Sequence, residues 1–311
     1  MTHMKLSELT LDKSIDRGDY LLQSSWIGRT KNGDPYLAGI LTDQSGSMEF
    51  KSWNYTGDPY PDGSVVSIKG EVKTYNSKLN LILTEIQRSD PNADLSEVIP
   101  VAPIDKDDYK NKLVVLLDSI RDSDYRSITT RFWERYQNTI LDIPAAKSVH
   151  HAYRHGLLMH TVNIMQAADS LCPLYPHLNR DLLIAAAFLH DIGKLLGEFE
   201  LTQIGLVSDL SKEGLLMGHL ISGSFAVQSA CQELQVPSDK ALALVHCILA
   251  HHGLPEYGAA VCPALPEAEL LFRLDDMDAK MEIFRTTLDP MPRNSISQRV
   301  PFLTNRRICK L

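Results

Sequence analysis

The residues able to do chemistry gather in the second part of this chain. Ten of its eleven histidines lie after Asp107, and several stand near aspartates. The stretch "AFLHDIGK", residues 187–194, closes an apolar helical run. It places His190 directly before Asp191, with Gly193 and Lys194 following. His160 lies in "GLLMHTVNIM", His219 in "GLLMGHLISG", His251 and His252 in "LVHCILAHHG", and Asp275, Asp276 and Asp278 in "RLDDMDAKM". A buried charge is costly unless it is paired or bound to a metal. Imidazole with carboxylate is the ligand set of Mn, Fe, Zn, Ni or Co rather than of an all-oxygen site. One helix cannot supply such a set, but several helices that each project a ligand inward can. Singly, each residue has a plain reading: a hydrogen-bonded core histidine, a histidine pair at a helix end complementing the dipole, or a solvated acidic face. Their joint occurrence on successive apolar segments favours a metal site. Which of His251 and His252, and which of the three aspartates, would ligate stays open on spacing alone.

Two kinds of element must position these residues. From about Asp19 to Arg88 the text is strand-like. "YLLQSSWIGRT", "PYLAGILTD", "MEFKSWNY", "SVVSIKGEVKTY" and "KLNLILTEIQR" are separated by turn signals such as "KNGD" and "QSGS". Apolar residues alternate at Val66, Ile68 and Val72, and at Leu79, Leu81 and Leu83, which predicts a small barrel or sandwich. "SDPNADLSEVIPVAP" breaks the pattern and reads as a linker. From about Asp107 onward seven runs show apolar residues near a 3.6-residue period. Leu158, Val162, Met165 and Ala168 mark the stripe in one of them.

The bulk numbers fit this division. A chain of 311 residues allows two domains, and 44% hydrophobic with 23% charged residues is ordinary for a globular protein. No apolar run reaches the roughly 20 residues needed to span a bilayer, and "MTHMKLSELTLDKS" has no secretory-type apolar core. The five cysteines are scattered and form no CxxC pair. Together these predict a reducing, cytoplasmic setting. A net charge of −8 argues against a broad basic coat for duplex nucleic acid. It leaves room for a nuclease whose metal ions neutralise phosphates locally.

The order His160, His190-Asp191, Asp275 resembles the HD-domain metal-dependent phosphohydrolases. "HHAYRHGLLMHT", "FLHDIGK", "LAHHGLPEYG" and "RLDDMDAKM" are more narrowly similar to the YhaM-type 3′→5′ exoribonucleases, in which an OB fold precedes the HD domain. "GDPYLAGILTDQSGSMEFKSW", "GSVVSIKGEVKTYNSKLNLILTEI" and the closing "LTNRRICKL" extend the likeness over nearly the whole chain. The resemblance implies an all-β OB-fold barrel at residues 1–95, a linker at 96–106, and an all-α HD helical bundle over 107–311. Leu274 departs from the small residue that many HD domains carry there, and Asp275 is taken as the ligand.

Carried onto this chain, the family pattern makes His160, His190, Asp191 and Asp275 a first metal site. His219, His251 and His252 become candidates for a second, with Asp191 bridging. Two divalent ions about 3.5–4 Å apart clamp the attacking and leaving oxygens of an in-line displacement. Manganese is the expected ion, with Fe, Ni, Co, Zn or Mg as alternatives. Lys194 is expected on a substrate phosphate or on Asp191. His151 and His155, spaced i,i+4, are expected to orient substrate or donate to the leaving oxygen if their segment is helical. Trp26, Tyr36, Trp53 and Tyr75 are candidate base platforms, with Arg29, Lys31, Lys51, Lys73 and Lys78 for phosphates. Arg299, Arg306 and Arg307 form a weaker basic candidate. The implied activity is 3′→5′ hydrolysis of single-stranded RNA, and of single-stranded DNA as a further substrate. The implied protein has no membrane partner and room for a homo-oligomer. The alternatives are an HD phosphohydrolase of free or cyclic nucleotides, and a single-strand-binding module without turnover.

Overall fold

A computed structural model describes residues 3–75, 78–90, 93, 95, 97–147, 151–202 and 204–311. The chain forms two compact units, Met1–Val101 with Leu201–Ser208, and Ala102–Glu200 with Asp209–Leu311.

The first unit is a closed barrel of β1 (Ser14–Arg29), β2 (Pro35–Asp43), β3 (Gly46–Trp53), β4 (Val65–Tyr75) and β5 (Lys78–Arg88), in the order β1-β2-β3-β5-β4. Neighbours run antiparallel except β3 and β5, which pair in parallel through Phe50–Leu81 and Ser52–Leu83. This closed five-stranded arrangement is OB-like. Strand alternation fills its interior with Leu37 and Leu41 of β2, Val66, Ile68 and Val72 of β4, and Leu81 and Leu83 of β5. Leu79 keeps the alternation but is 39% exposed, because it sits where β5 begins at the hairpin end, beyond the packed interior.

The second unit is helical: α1 (Lys106–Asp118), α2 (Ser123–Ile140), α3 (Gly156–Leu171), α4 (Arg180–Leu189), α5 (Lys212–Glu233), α6 (Ser238–Ala250) and α7 (Pro266–Leu288). Side-chain caps start four of them. Asp105, Asp122, Asn179 and Ser211 accept backbone N–H groups from α1, α2, α4 and α5, each cap being worth about 1 kcal/mol. Pro266 occupies the first position of α7, where its missing N–H costs nothing. Every residue of α4 from Leu182 to Leu189 is buried. A helix apolar on all sides must be central, and α4 packs against α2, α3, α6 and α7. Its last turn delivers His190 and Asp191 into the interior.

Candidate metal centre

The imidazoles and carboxylates singled out by spacing converge at the end of α4. His190 caps that helix and Asp191 follows it, both almost fully buried. His160 reaches in from the second turn of α3. His190 Nε2 lies 3.2 Å from its Nε2, and Asp275 Oδ1, from α7, lies 3.1 Å from the same atom. His251 follows α6 and brings its Nε2 to 3.9 Å from Asp191 Oδ1. His219 arrives on α5, 3.4 Å from that same oxygen.

Two glycines make the approach of α5 possible. Gly218 has φ 68°, ψ 163°, and breaks α5 immediately before His219, a left-handed conformation that side-chain-bearing residues rarely adopt. Gly193 lies flat against the backbone of α5, where an added methyl would collide with the His219 carbonyl. The glycine of "HDIGK" is therefore the contact that lets His219 share a site with Asp191.

Asp191 stands between two groups and presents one oxygen to each. Its Oδ2 faces His190 Nε2 at 3.3 Å and His160 Nε2 at 3.7 Å, while its Oδ1 faces His219 and His251. The same Oδ2 accepts a 2.7 Å hydrogen bond from Lys194 Nζ. Lys194 therefore sits on Asp191, one of its two expected positions. His252 completes the outer side, with ring centroids 4.4 Å from His251 and 5.2 Å from His219.

The far nitrogens of these rings are held by acceptors. His190 Nδ1 and His251 Nδ1 donate to the carbonyls of Ala187 and Ile248, and His219 Nδ1 donates to Glu198 Oε1 at 2.8 Å. His160 Nδ1 bonds Asp278 Oδ2 at 2.8 Å. An imidazole whose Nδ1 donates presents a bare Nε2 lone pair, which is how metal-binding histidines are prepared. Among the described residues, the Nε2 atoms of His219 and His251 are buried without a hydrogen-bond partner. Buried polar atoms without partners are rare in folded proteins. Facing lone pairs around an anionic carboxylate are satisfied by a cation. His219 with His251 and His252, His160 with His190 and Asp275, and His190 with Asp191 and His251 each bring three ligand atoms within 4.8 Å of one another. The residues present fit divalent metal.

The electrostatics agree. Although burial works the other way, Lys194 and His190 hold the Asp191 carboxyl well below the usual carboxylate range. Asp275 and Asp278 are likewise depressed against burial, by His160 for Asp275 and by His151 and His160 for Asp278. Burial drives His251 far below an ordinary imidazole, and burial with the neighbouring His219 lowers His252 to about 4. His160 is the exception. Burial opposes its charge, yet hydrogen bonds to Asp275 and Asp278 raise it to about 10.

Asp276 points away from this cluster and pairs with Lys280. Asp278 lies behind His160 rather than in the cluster. Its Oδ2 also accepts from His151 Nε2 at 2.7 Å, and its Oδ1 accepts from Asn163 Nδ2 at 2.9 Å. The chain of contacts continues from His151 Nδ1 to the Tyr153 hydroxyl, from that hydroxyl to Glu282, and from Glu282 to Arg285. Both nitrogens of His151 are thus engaged inside the fold. His151 and His155 do not share a helical face. Both have left-handed backbones (φ 49° and 63°) in the turn before α3, and His155 caps α3 with its ring on the Leu141 carbonyl. The turn is tight because the His151 carbonyl accepts from Ala145 and lies against Gly156, which leaves no helical turn between the two histidines.

Spacing missed Glu198, Asn163, Tyr153 and Glu282. Asp275, Asp278 and Glu282 follow one another at i, i+3 and i+7 on α7, the period of one helix face. That signal was present in "DDMDAKME". Glu198 has none, since its meeting with His219 depends on how the turn after α4 lies beside α5.

On the barrel, register places the candidate platform residues in two adjacent rows across β1, β2 and β3. Trp26 pairs with Ala38 and Ala38 with Lys51. Gly28 pairs with Tyr36 and Tyr36 with Trp53. The Tyr36 ring covers Gly28 and stands 5.1 Å from the Trp53 ring, with Lys51 Nζ 5.6–5.8 Å from both centroids. Trp26 and Trp53 are 50% and 43% exposed, so these indoles are not core. Arg29 closes the β1–β2 turn by bonding the Gly33 carbonyl, and Lys31 lies in that turn. Lys73 is not brought to this face. It lies on β4 with its ammonium between Glu71 and Asp12. The side chains of Tyr75 and Lys78 lie outside the described residues.

Residues 157–280 match the HD domain family, and this span holds every residue of the cluster around Asp191. A solved structure, the second OB-fold domain of replication protein A from Methanococcus maripaludis, is 20% identical over 30% of this chain and 100% of that one, with a TM-score of 0.24. The OB-like character of the barrel rests on its strand order and closure. No described helix is long and apolar enough to cross a membrane.

Proposed function

We propose that this chain, which carries an HD domain over residues 157–280, is a metal-dependent 3′→5′ exonuclease of single-stranded RNA that also accepts single-stranded DNA. The observation that carries the reading is the Asp191 carboxylate, which turns one oxygen toward His160 and His190 and the other toward His219 and His251.

His160, His190, Asp191 and Asp275 would hold one divalent ion, and His219, His251 and His252, sharing Asp191, a second; manganese suits this mixed set. Bound there, the ions supply Lewis-acid neutralisation of phosphate charge and an attacking water ionised near neutral pH. The chain's own groups do the rest. The Ala187 and Ile248 carbonyls, Glu198 and Asp278 fix the ring orientations, so the site need not reorganise during reaction. Lys194 keeps Asp191 anionic and offers an ammonium at the edge of the site for a non-bridging phosphate oxygen. On the barrel, Tyr36, Trp53 and Trp26 stack bases and Lys51 meets the backbone, each stacked base contributing about 1–3 kcal/mol.

The test is a time course on 5′-labelled single-stranded RNA, with Mn²⁺ or with EDTA, for wild type and Asp191→Ala. A ladder that shortens from the 3′ end, only with metal and only in wild type, is expected. RNA left intact under every divalent ion would overturn the reading and point to free nucleotides as substrates.

A further inference from the structure

Residues 290–311 hold Arg293, Arg299, Arg306, Arg307 and Lys310 and no acidic residue, a formal side-chain charge of +5 in a chain whose net charge is −8. This segment is folded. After α7 it makes a small hairpin in which β6 (Ser295–Ile296) pairs with β7 (Cys309–Lys310) and Val300 bridges Arg306. Leu303 and Ile308 are buried against Ile283, with Phe284, Leu288 and Val300 around them. The result is a knob seated on the last turns of α7.

Little of the charge of this knob is neutralised within the fold. Cations near a helix C-terminus complement its dipole, but Lys310 Nζ already bonds the Leu288 and Asp289 carbonyls there, and Arg285 lies in the last turn. Arg299 and Arg307 bond only backbone carbonyls of the hairpin, and the Arg306 guanidinium lies 5.6 Å from the Phe284 ring centroid. All four arginines are exposed. Among the described residues none of the four forms an ion pair, and residues 290–311 hold no acidic side chain to neutralise them. Four exposed guanidiniums with no acidic neighbour in the segment make a patch of positive potential that suits a polyanion. Phe302, in the same segment, is 61% exposed, an aromatic face open to stacking on a base.

We infer that this knob is a second nucleic-acid contact, binding the phosphodiester backbone of a single strand at a distance from the metal cluster; it rests on the reading of the protein as a single-strand nuclease. Eight residues of α7 separate Asp275 from Ile283, where the knob begins to pack, about 12 Å at 1.5 Å per residue. The knob therefore holds substrate rather than acting on the scissile bond.

The experiment measures binding of a fluorescent, hydrolysis-resistant phosphorothioate oligonucleotide to full-length, metal-loaded protein across a salt series. Wild type is compared with Arg293→Gln/Arg306→Gln and with Arg293→Lys/Arg306→Lys. These two arginines make no side-chain hydrogen bond that holds the hairpin. For single strands each phosphate contact contributes about 0.7 to the slope of log affinity against log salt, so losing two lowers the slope by about 1.4 and weakens binding roughly 25-fold at about 0.1 M salt. The lysine pair is expected to keep the wild-type slope, and turnover of a short dinucleotide to stay unchanged in both variants. An unchanged slope in the glutamine variant overturns the inference while leaving the proposed nuclease standing. Loss of anionic-vesicle binding with an unchanged slope overturns it in favour of a membrane surface. A wild type that binds no single strand overturns it together with the function it rests on.

Discussion

Replacing Asp278 separates the ligands of the cluster from the groups that aim them. Asp278 is not expected to touch metal. It accepts from His160 Nδ1 at 2.8 Å, from His151 Nε2 at 2.7 Å and from Asn163 at 2.9 Å. Asp278→Ala removes all three hydrogen bonds. His160 is then free to carry its proton on Nε2, the nitrogen that faces His190 and Asp275, and that tautomer cannot ligate. Losing such a supporting partner costs about 10–100-fold in metal affinity, or about 1.4–2.7 kcal/mol. Two buried imidazole donors also lose their acceptor, at about 1–3 kcal/mol each, so the metal-free fold weakens as well. Asp278→Asn keeps the shape and an amide oxygen able to accept from both rings, and should fall between Ala and wild type. Calorimetric titration of Mn²⁺ into EDTA-stripped, refolded-checked protein gives the affinity, and urea denaturation gives the stability. Mn²⁺ affinity within twofold of wild type in the Ala variant would refute the reasoning, because His160 would then need no support or would not ligate.

Three other outcomes follow from the geometry. Metal-free His160 titrates at about 10, above an ordinary imidazole near 6.5. Its proton therefore stabilises the metal-free fold below about pH 6.5, and that contribution is lost as pH rises through about 10. Because a ligand must be deprotonated, uptake of the first ion near neutral pH should release about one proton; calorimetry in buffers of different ionisation enthalpy reads this, and zero release would contradict it. Gly193→Ala drives a methyl into the His219 carbonyl, so it should cost about 1–3 kcal/mol by overpacking and weaken metal binding, as thermal melts with and without Mn²⁺ would report. Trp53→Ala should weaken single-strand binding by about 1–3 kcal/mol in fluorescence anisotropy and leave Mn²⁺ affinity unchanged.

Much of this arrangement was readable beforehand, for a physical reason. Each of the seven helical runs became a helix, and the five strand-like segments closed into a barrel, because apolar period directly reports which face is buried. His160, His190, Asp191, His219, His251 and Asp275 meet because each lies on or just beyond an inward helix face. Contacts set by chain geometry rather than by period were not legible. The left-handed turn at His151 and His155 and the Glu198–His219 bond depend on where distant segments cross. Lys73 illustrates the same limit: Glu71 stands two residues before it on β4, but Asp12, just before β1, meets it only once β1 and β4 pair. Asp278 was visible as a residue, but its place behind His160 emerges only once α3 and α7 are packed together.

The central claim is that the cluster is a two-ion site divided by Asp191. Anomalous diffraction from crystals grown with Mn²⁺ tests it most directly. Two peaks about 3.5–4 Å apart, one beside His160, His190 and Asp275 and the other beside His219, His251 and His252, with Asp191 touching both, are the predicted result. Density absent from the cluster, or a single peak that leaves Asp191 on Lys194 alone, would contradict it.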